Sequence, residues 1–314
     1  MSVTMIGPEV DEVLDWRALG AAFEAGHALP KAEIKDSFLY RRADTMLSRA
    51  AWIDELGLLV KTATIFPGNK DRGEPVVAGG VSLFNDDHGR LDAILDFELV
   101  TKWKTAGDSA FAASKLARPE SRKILIVGAG TVGRNLVSAY GAWFPEAEFS
   151  VWNRSPEGAA RFVEECPGVA VAEDLEQAVR GADIVACATM TTDPVVMGEW
   201  LQPGQHVDLI GAYRPDMREV DDAALKASRI FVDSRETTLH HIGELKIPLE
   251  AEVLSEADVV ADFYDLPGGT FARRSEEEIT LFKNGGGAHL DLMTARYILD
   301  AVRDHGPVHA CAGS

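Results

Sequence analysis

Apolar and polar positions divide this chain into two regimes. In the first third, short apolar runs are broken by turn residues. From residue 123 onward, unbroken apolar runs alternate with amphipathic stretches. Asp15 is placed to cap a first helix whose apolar face is Trp16, Leu19, Ala22 and Phe23, and Pro30 ends that region. Residues 37–47 read as a strand, on which the adjacent Arg41 and Arg42 point to opposite faces. Leu56–Pro67 is a strand with Lys61 in its middle. Such a lysine either faces outward on a half-exposed sheet or is buried with a partner. Residues 67–75 form a loop, Val76–Phe84 a strand, residues 85–89 a turn closed by Gly89, and Leu91–Phe97 a further strand. These elements predict a helix followed by a largely antiparallel sheet. A helix from about Thr101, with Thr101 or a neighbour as its cap, to Leu116 leads into the linker 117–121.

The second regime opens at Lys123. Four apolar residues, Ile124–Val127, run directly into Gly128-x-Gly130-x-x-Gly133, and an amphipathic stretch follows from Leu136 to Phe144. This is the order strand, tight turn, helix that a dinucleotide-binding unit requires. Gly128 allows the turn, Gly130 lets a pyrophosphate approach the backbone, and Gly133 lets helix pack on strand. Thr131 and Val132 open the helix, whose N–H groups and dipole favour phosphate. The bland alternative is a glycine-rich turn that binds nothing. Further strands are expected at 149–152, 169–171, 184–188, 207–210 and 230–232, with helices near 175–179 and 221–227. Ala188-Thr189 and Gly211 end strands on the side where open α/β sheets bind ligands. Glu278–Phe282 leads into Lys283-Asn284-Gly285-Gly-Gly, and a final helix runs from Leu290 to about Val302 before a tail, Gly306–Ser314, that is expected to fray.

Asn153-Arg154-Ser155 refines the cofactor. An NAD-selective site places an acid about 20 residues beyond the glycines, on the ribose 2′-hydroxyl. Here an amide, a guanidinium and a hydroxyl stand instead, and Arg154 can pair with a 2′-phosphate and stack on adenine. The residues favour NADP(H) over NAD(H); the competing reading is that they only cap the next helix. Lys102 and Lys104 near a helix start suggest an anion opposite, against ordinary solvent-facing lysines.

Composition narrows the class. The chain has 314 residues, 46% hydrophobic and 26% charged, which suits about two soluble domains. Its 31 lysines and arginines against 50 acids give a net charge of −19, which argues against nucleic-acid or anionic-membrane partners. Cys166, Cys187 and Cys311 form no CxxC, no leader opens the chain, and no apolar run approaches about 18 residues, so a reduced, cytoplasmic setting is expected. Asp86, Asp87 and His88 fit turn chemistry better than metal ligation. His206, His240 and His241 lack a third metal ligand or a nucleophile partner, and no metal site is expected.

Several stretches together resemble the ornithine cyclodeaminase/mu-crystallin family: G-L-L-V-K-T-A-T-I-F-P-G-N (57–69), T-K-W-K-T-A-G-D-S-A (101–110), the segment 116–133, I-G-A-Y-R-P-D-M-R-E-V-D (210–221) and E-I-T-L-F-K-N-G-G-G-A (278–288). The resemblance implies an α/β fold, with a Rossmann domain (118–288) inserted in an α+β substrate-binding and dimerisation domain (1–117 plus 289–314). It implies that Lys61 approaches the substrate carboxylate and reacting carbon, and that Lys104 replaces the family's arginine clamp. It also implies that Arg41 or Arg42 supplies the second carboxylate-binding arginine. Tyr213 stands where cyclodeaminases carry an aspartate, and a neutral phenol is a poor general base. Lys61 and Tyr213 are the candidate catalytic residues, and Arg41, Arg42, Lys61, Lys104 and Asp291 the candidate substrate ligands. Thr105, Gly128, Gly130, Thr131, Val132, Gly133, Asn153, Arg154, Ser155, Ala188, Thr189, Gly211, Asn284 and Gly285 are the candidate cofactor residues. The expected activity is NADPH-dependent reduction of an imino acid, of ketimine or pyrroline-2-carboxylate type, or the reverse dehydrogenation, by a homodimer. A cyclodeaminase with bound NAD and a non-catalytic NADPH-binding protein are the alternatives.

Overall fold

The computed structural model describes residues 3–305; Cys311 and the tail Gly306–Ser314 lie outside the described residues. The chain divides into two compact units, Met1–Lys104 with Gly287–Ser314, and Thr105–Gly286. Set beside the expected boundaries at 117/118 and 288/289, the first division falls inside one continuous helix, Phe97–Leu116, rather than after it.

The first unit is a six-stranded sheet with helices. Its strands are β1 (Thr4–Ile6), β2 (Glu33–Arg41), β3 (Asp44–Ile53), β4 (Gly57–Ile65), β5 (Val77–Phe84) and β6 (Leu91–Asp96), in the spatial order β1-β6-β5-β4-β3-β2. β1 pairs parallel to β6, and the other pairings are antiparallel hairpins. One face is apolar and buried through Ala51, Ile53, Leu59, Ala63, Val81 and Leu83. Helix α1 (Trp16–His27) and the final helix, Ala288–His305, pack together, and the final helix lies on β3 and β4. Asp15 caps α1, its carboxylate accepting from the Ala18 N–H at 2.8 Å.

Two local expectations need correction. Helix α2 (Phe97–Leu116) begins four residues before Thr101. Asp96 accepts from the Leu99 N–H at 2.7 Å, in the manner of a cap, and the Thr101 hydroxyl donates back to the Phe97 carbonyl at 2.7 Å. Residues 37–47 are not one strand but the end of β2, a turn, and the start of β3. Arg42 occupies that turn with φ +57°, a conformation that strand alternation did not anticipate.

The second unit is an all-parallel sheet of eight strands. β7 (Lys123–Val127), β8 (Glu148–Trp152), β9 (Ala170–Val171), β10 (Ile184–Cys187), β11 (His206–Leu209), β12 (Ser228–Val232), β13 (Val259–Ala261) and β14 (Ile279–Lys283) take the order β13-β12-β14-β11-β10-β7-β8-β9. Helices α3 (Thr131–Trp143), α4 (Pro156–Glu165), α5 (Leu175–Gly181), α6 (Asp222–Ala227), α7 (Arg235–Thr238) and α8 (Gly243–Glu250) connect them. The central strands are buried on both faces, as an internal parallel sheet demands, and Leu125, Val127, Val185, Cys187, Val207, Leu209 and Leu281 share the core on one of them. Chain progression runs outward from β7 to β9 and then returns to β10 on the other side of β7. The loops after β7 and β10 therefore flank the topological switch point, where such sheets bind ligands.

Candidate functional site

In the second unit the glycine loop has the shape its spacing predicts. Gly128 has φ +113°, and a Cβ there would lie 2.7 Å from the Ala188 carbonyl oxygen. A Cβ at Gly133 would lie 2.5 Å from the Gly128 carbonyl oxygen, so helix and strand approach too closely for alanine. At Gly130 nothing lies within 4 Å of an added Cβ, which leaves open space over the loop. Gly130 is the N-cap of α3 with no side-chain cap, so the first-turn N–H groups at Thr131, Val132 and Gly133 face that space without a side-chain acceptor. This uncapped helix end and open cradle fit a dinucleotide pyrophosphate.

The end of β8 borders the same loop. Asn153 Oδ1 accepts from the Ala129 N–H at 3.2 Å, and its Nδ2 donates to the Ser155 carbonyl at 3.0 Å. Ser155 caps α4 by accepting from the Gly158 N–H and donates its hydroxyl to Glu157 at 2.7 Å. The capping role is therefore real for Ser155. Arg154 is exposed, and among the described residues it has no hydrogen-bond or ion-pair partner. A guanidinium held free beside the adenine side of the loop is available for a phosphate.

The other side of the switch point carries a network that sequence reasoning missed. Glu219, fully buried, accepts from the Thr189 N–H and hydroxyl, both at 2.8 Å, and from the Gly211 and Ala212 N–H groups at 2.7 and 3.2 Å. Glu244, also fully buried, accepts from the Glu219 and Val220 N–H groups. Lys283 donates to the Leu209 and Asn284 carbonyls at 2.8 and 2.9 Å. Burial pushes the carboxyl of Asp208 up to about 7 against hydrogen bonds from Tyr140 and Ser109 and the Lys283 charge, and burial with the Glu219 charge pushes Glu244 up to about 7 against Lys283. Asn284 Nδ2 donates to the Thr105 carbonyl and the Ser109 hydroxyl, which brings the cofactor candidates Asn284 and Thr105 together. A Cβ at Gly285 would overlap the Thr238 hydroxyl. The one available signal for this network was an aspartate within the apolar run of β11. Tyr213 lies beyond Gly211 and is 60% exposed.

In the first unit, Lys61 points to the buried face. Its Nζ donates to Asp291 Oδ1 at 2.8 Å and lies 4.9 Å from the Phe97 ring centroid. Lys61 is 6% exposed, Lys104 7% and Asp291 0%. Burial pulls the Lys61 ammonium down to about 8; Asp291 opposes that pull, and the Lys104 charge adds to it. Burial pushes Asp291 up, but Lys61, Lys104 and Arg49 together hold it below the usual carboxylate range. His289, buried two residues before Asp291 in the final helix, is pushed down to about 3 by burial and is neutral at pH 7. Among the described residues Lys104 makes no hydrogen bond or close ion pair of its own. A buried ammonium with no hydrogen-bonded anion is a site for one.

Arg41 and Arg42 do not join this cluster. Arg41 pairs with Asp44 at 3.0 Å, and Arg42 sits in the exposed turn. Arg41 is five residues from Asp36, and strand alternation puts it on the opposite face. The arginine that does join is Arg49. It stands directly opposite Lys61 in the β3–β4 register, pairs with Asp36 at 2.8 Å, and lies 3.5 Å from Asp291 Oδ2. Its signal was alternation with Ala51 and Ile53, which became legible only once β3 had been placed. Lys102, by contrast, has an internal anion, pairing with Asp11 at 2.7 Å. Asp86 serves the turn, accepting from the Trp52 indole and the Glu55 N–H. Among the described residues no group of three or more His, Cys, Asp and Glu is placed to hold a metal ion.

Fold and site define a class: a dinucleotide-binding α/β unit carried in one chain with an α+β unit that presents buried cations. Comparison with known proteins narrows it. The model of the ornithine cyclodeaminase/mu-crystallin family matches residues 25–306. A delta(1)-pyrroline-2-carboxylate reductase of Paracoccus denitrificans is 53% identical over 292 residues, 91% of this chain and 92% of that protein. The ketimine reductase mu-crystallin of Rattus norvegicus is 34% identical over 79% of this chain and 77% of its own. The solved structure of a Thermococcus litoralis delta(1)-pyrroline-2-carboxylate reductase, in complex with NADH and L-proline, matches with a TM-score of 0.87 at 25% identity, over 97% of this chain and 99% of that one. The chain belongs to the ornithine cyclodeaminase/mu-crystallin family.

Proposed function

We propose that this protein is an NAD(P)H-dependent reductase of imino acids of the pyrroline-2-carboxylate or ketimine type, with NADPH preferred, and that it runs the reverse amino-acid dehydrogenation where concentrations favour it. The observation that carries the reading is the buried Lys61–Asp291–Lys104–Arg49 cluster, which has surplus positive charge and a lysine drawn down to about 8. It occurs in a chain whose relatives carry the names of such reductases.

The α-carboxylate of the substrate is assigned to Lys104, Lys61 and Arg49. The adenine and phosphate half of the cofactor is assigned to Gly128–Gly133 and Asn153–Ser155. When bound, the reduced nicotinamide supplies a hydride to the imine carbon. The two C=N electrons that leave the carbon settle on nitrogen, which needs one proton. Lys61 is better suited to give it than an unperturbed lysine, because burial has made its ammonium more acidic. Asp291 orients that ammonium. Holding the carboxylate fixes the imine carbon, and such positioning is worth several kcal/mol of barrier in comparable reactions, up to about 7–11 kcal/mol.

The preference for NADPH rests on Arg154, exposed and unpartnered among the described residues, in a position where an NAD-selective site carries an acid. The Thermococcus litoralis relative holds NADH, so the two cofactors are compared directly in the test. A homodimer is assigned to the outer face of the first unit's sheet, where Leu39, Met46, Trp52 and Val60 are 63%, 38%, 47% and 37% exposed. The deciding experiment follows oxidation of NADPH and NADH with pyrroline-2-carboxylate, its ring-expanded homologue, and 2-oxo acids plus amines. Turnover of a cyclic imino acid is expected, faster with NADPH. Tight cofactor binding without turnover of any of these substrates would overturn the reading.

A further inference from the structure

The loops after β10 and β11 lie across the switch point from Asn153–Ser155, on the half of the sheet that meets the second mononucleotide. Both are tied to one buried side chain. Glu219 Oε1 takes two donors from Thr189, and Oε2 takes the N–H groups of Gly211 and Ala212. The loops touch closely enough that a Cβ at Gly211 would overlap the Thr189 backbone. Glu219 is held in its turn. Its own N–H and that of Val220 donate to Glu244, and its carbonyl accepts from Val195 and Val196. Four donors on two oxygens suit a carboxylate and no other side chain of that length. A glutamine would turn its NH2 toward donors on one side or the other. Glu219 is 0% exposed and so touches neither solvent nor ligand.

We infer that Glu219 is a positioning residue for the nicotinamide half of the cofactor, acting by setting the spacing of the Thr189 and Gly211–Ala212 backbones. The inference rests on the reading that the chain binds a nicotinamide dinucleotide. It separates from mere structural support because the adenine half is built elsewhere, on the loops after β7 and β8. The test is Glu219→Gln, measured by kcat at saturating cofactor, by affinity for NADPH, and by affinity for the adenine-half fragments adenosine 5′-diphosphate and adenosine 2′,5′-diphosphate. The expected result is a fall in kcat between about tenfold and a hundredfold, with fragment affinity within about twofold of wild type. Equal loss of fragment and whole-cofactor affinity, or an unchanged kcat, would overturn the inference. If Glu219→Gln does not fold, Thr189→Val removes only the hydroxyl donor, and the same split is expected at smaller size. Wild-type protein that binds neither NADPH nor NADH would instead remove the reading beneath it.

Discussion

The substitution Asp291→Asn tests the electrostatics of the substrate cluster most directly. Asparagine keeps an acceptor oxygen for Lys61 but removes the charge. A hydrogen bond to a charged partner contributes about 1.5–3 kcal/mol, and one pKa unit is worth about 1.4 kcal/mol. Lys61 titrates at about 8 with Asp291 2.8 Å away, so the variant should titrate about one to two units lower. At pH 7.5 its charged fraction then falls from about three quarters to between about a quarter and about three hundredths. The sign follows from the role: a lysine that holds a carboxylate works when protonated, so kcat/KM falls as pH rises through its pKa. The assay is the pH profile of kcat/KM for imine reduction at saturating NADPH. Wild type should lose activity above about pH 8, and Asp291→Asn about one to two units earlier. Lys61→Arg keeps the charge but gives up the readily donated proton, so it should retain substrate affinity, lose most of its kcat, and show no limb near pH 8 in the activity that remains, because a guanidinium stays charged throughout. An unmoved limb in Asp291→Asn, or a retained limb in Lys61→Arg, would refute the assignment of Lys61 as the titrating cation.

Arg154→Ala removes the guanidinium proposed to meet a 2′-phosphate; on that proposal kcat/KM for NADPH should fall about ten- to a hundredfold while that for NADH stays within about threefold, and steady-state kinetics with both cofactors read the ratio. Arg49→Met should raise the KM for the imino acid by about tenfold with little change in the KM for NADPH, whereas the double substitution of Arg41 and Arg42 by Met should change neither, since those residues lie at the exposed β2–β3 turn. Burial raises Asp208 to about 7 from an ordinary 3.8, so the folded protein binds its proton more tightly than the unfolded chain across that window. Its contribution to stability is therefore fully present below about pH 4 and falls as pH rises toward 7, by about 1–4 kcal/mol. Thermal unfolding of Asp208→Asn against wild type from pH 5 to 8 should show a smaller decline in the variant, and parallel curves would contradict this.

What was legible in the sequence follows from how local each signal is. The glycine loop was readable because turn, phosphate approach and helix packing each demand a missing Cβ within a few residues of one another. The structure shows a Cβ excluded at Gly128 and Gly133, and open space at Gly130, where the demand would come from a bound phosphate. Asp15 was readable as a cap for the same reason, its partner being three residues away. The second arginine was not. Arg49 reaches Lys61 through strand register, and register depends on where the hairpin turns. One residue in the left-handed region, Arg42, moved that turn into what had read as a continuous strand. Apart from Asp208 in the apolar run of β11, nothing in the sequence signalled the Glu219–Glu244–Lys283 network, because its members lie 25 and 39 residues apart, counted as 244 − 219 and 283 − 244. Each of them alone reads as an ordinary surface charge.

The two buried charge clusters carry opposite balances, and the difference indicates what each is for. Around β11, Asp208, Glu219 and Glu244 stand against Lys283 alone, and two of the carboxyls are raised to about 7. Protein donors already occupy both oxygens of Glu219 and of Glu244, so this cluster is satisfied internally and works as scaffold. On β3 and β4 the balance is reversed. Arg49, Lys61 and Lys104 give +3, Asp36 and Asp291 give −2, and the sum is +1. Lys104 is the member without a hydrogen-bonded partner among the described residues. A buried uncompensated cation is costly, and the cost is removed when a ligand brings one negative charge. One carboxylate brings the sum to zero while two would overshoot it, so we predict a higher kcat/KM for an imino acid with a single carboxylate than for one with two, and equal values would refute the charge count.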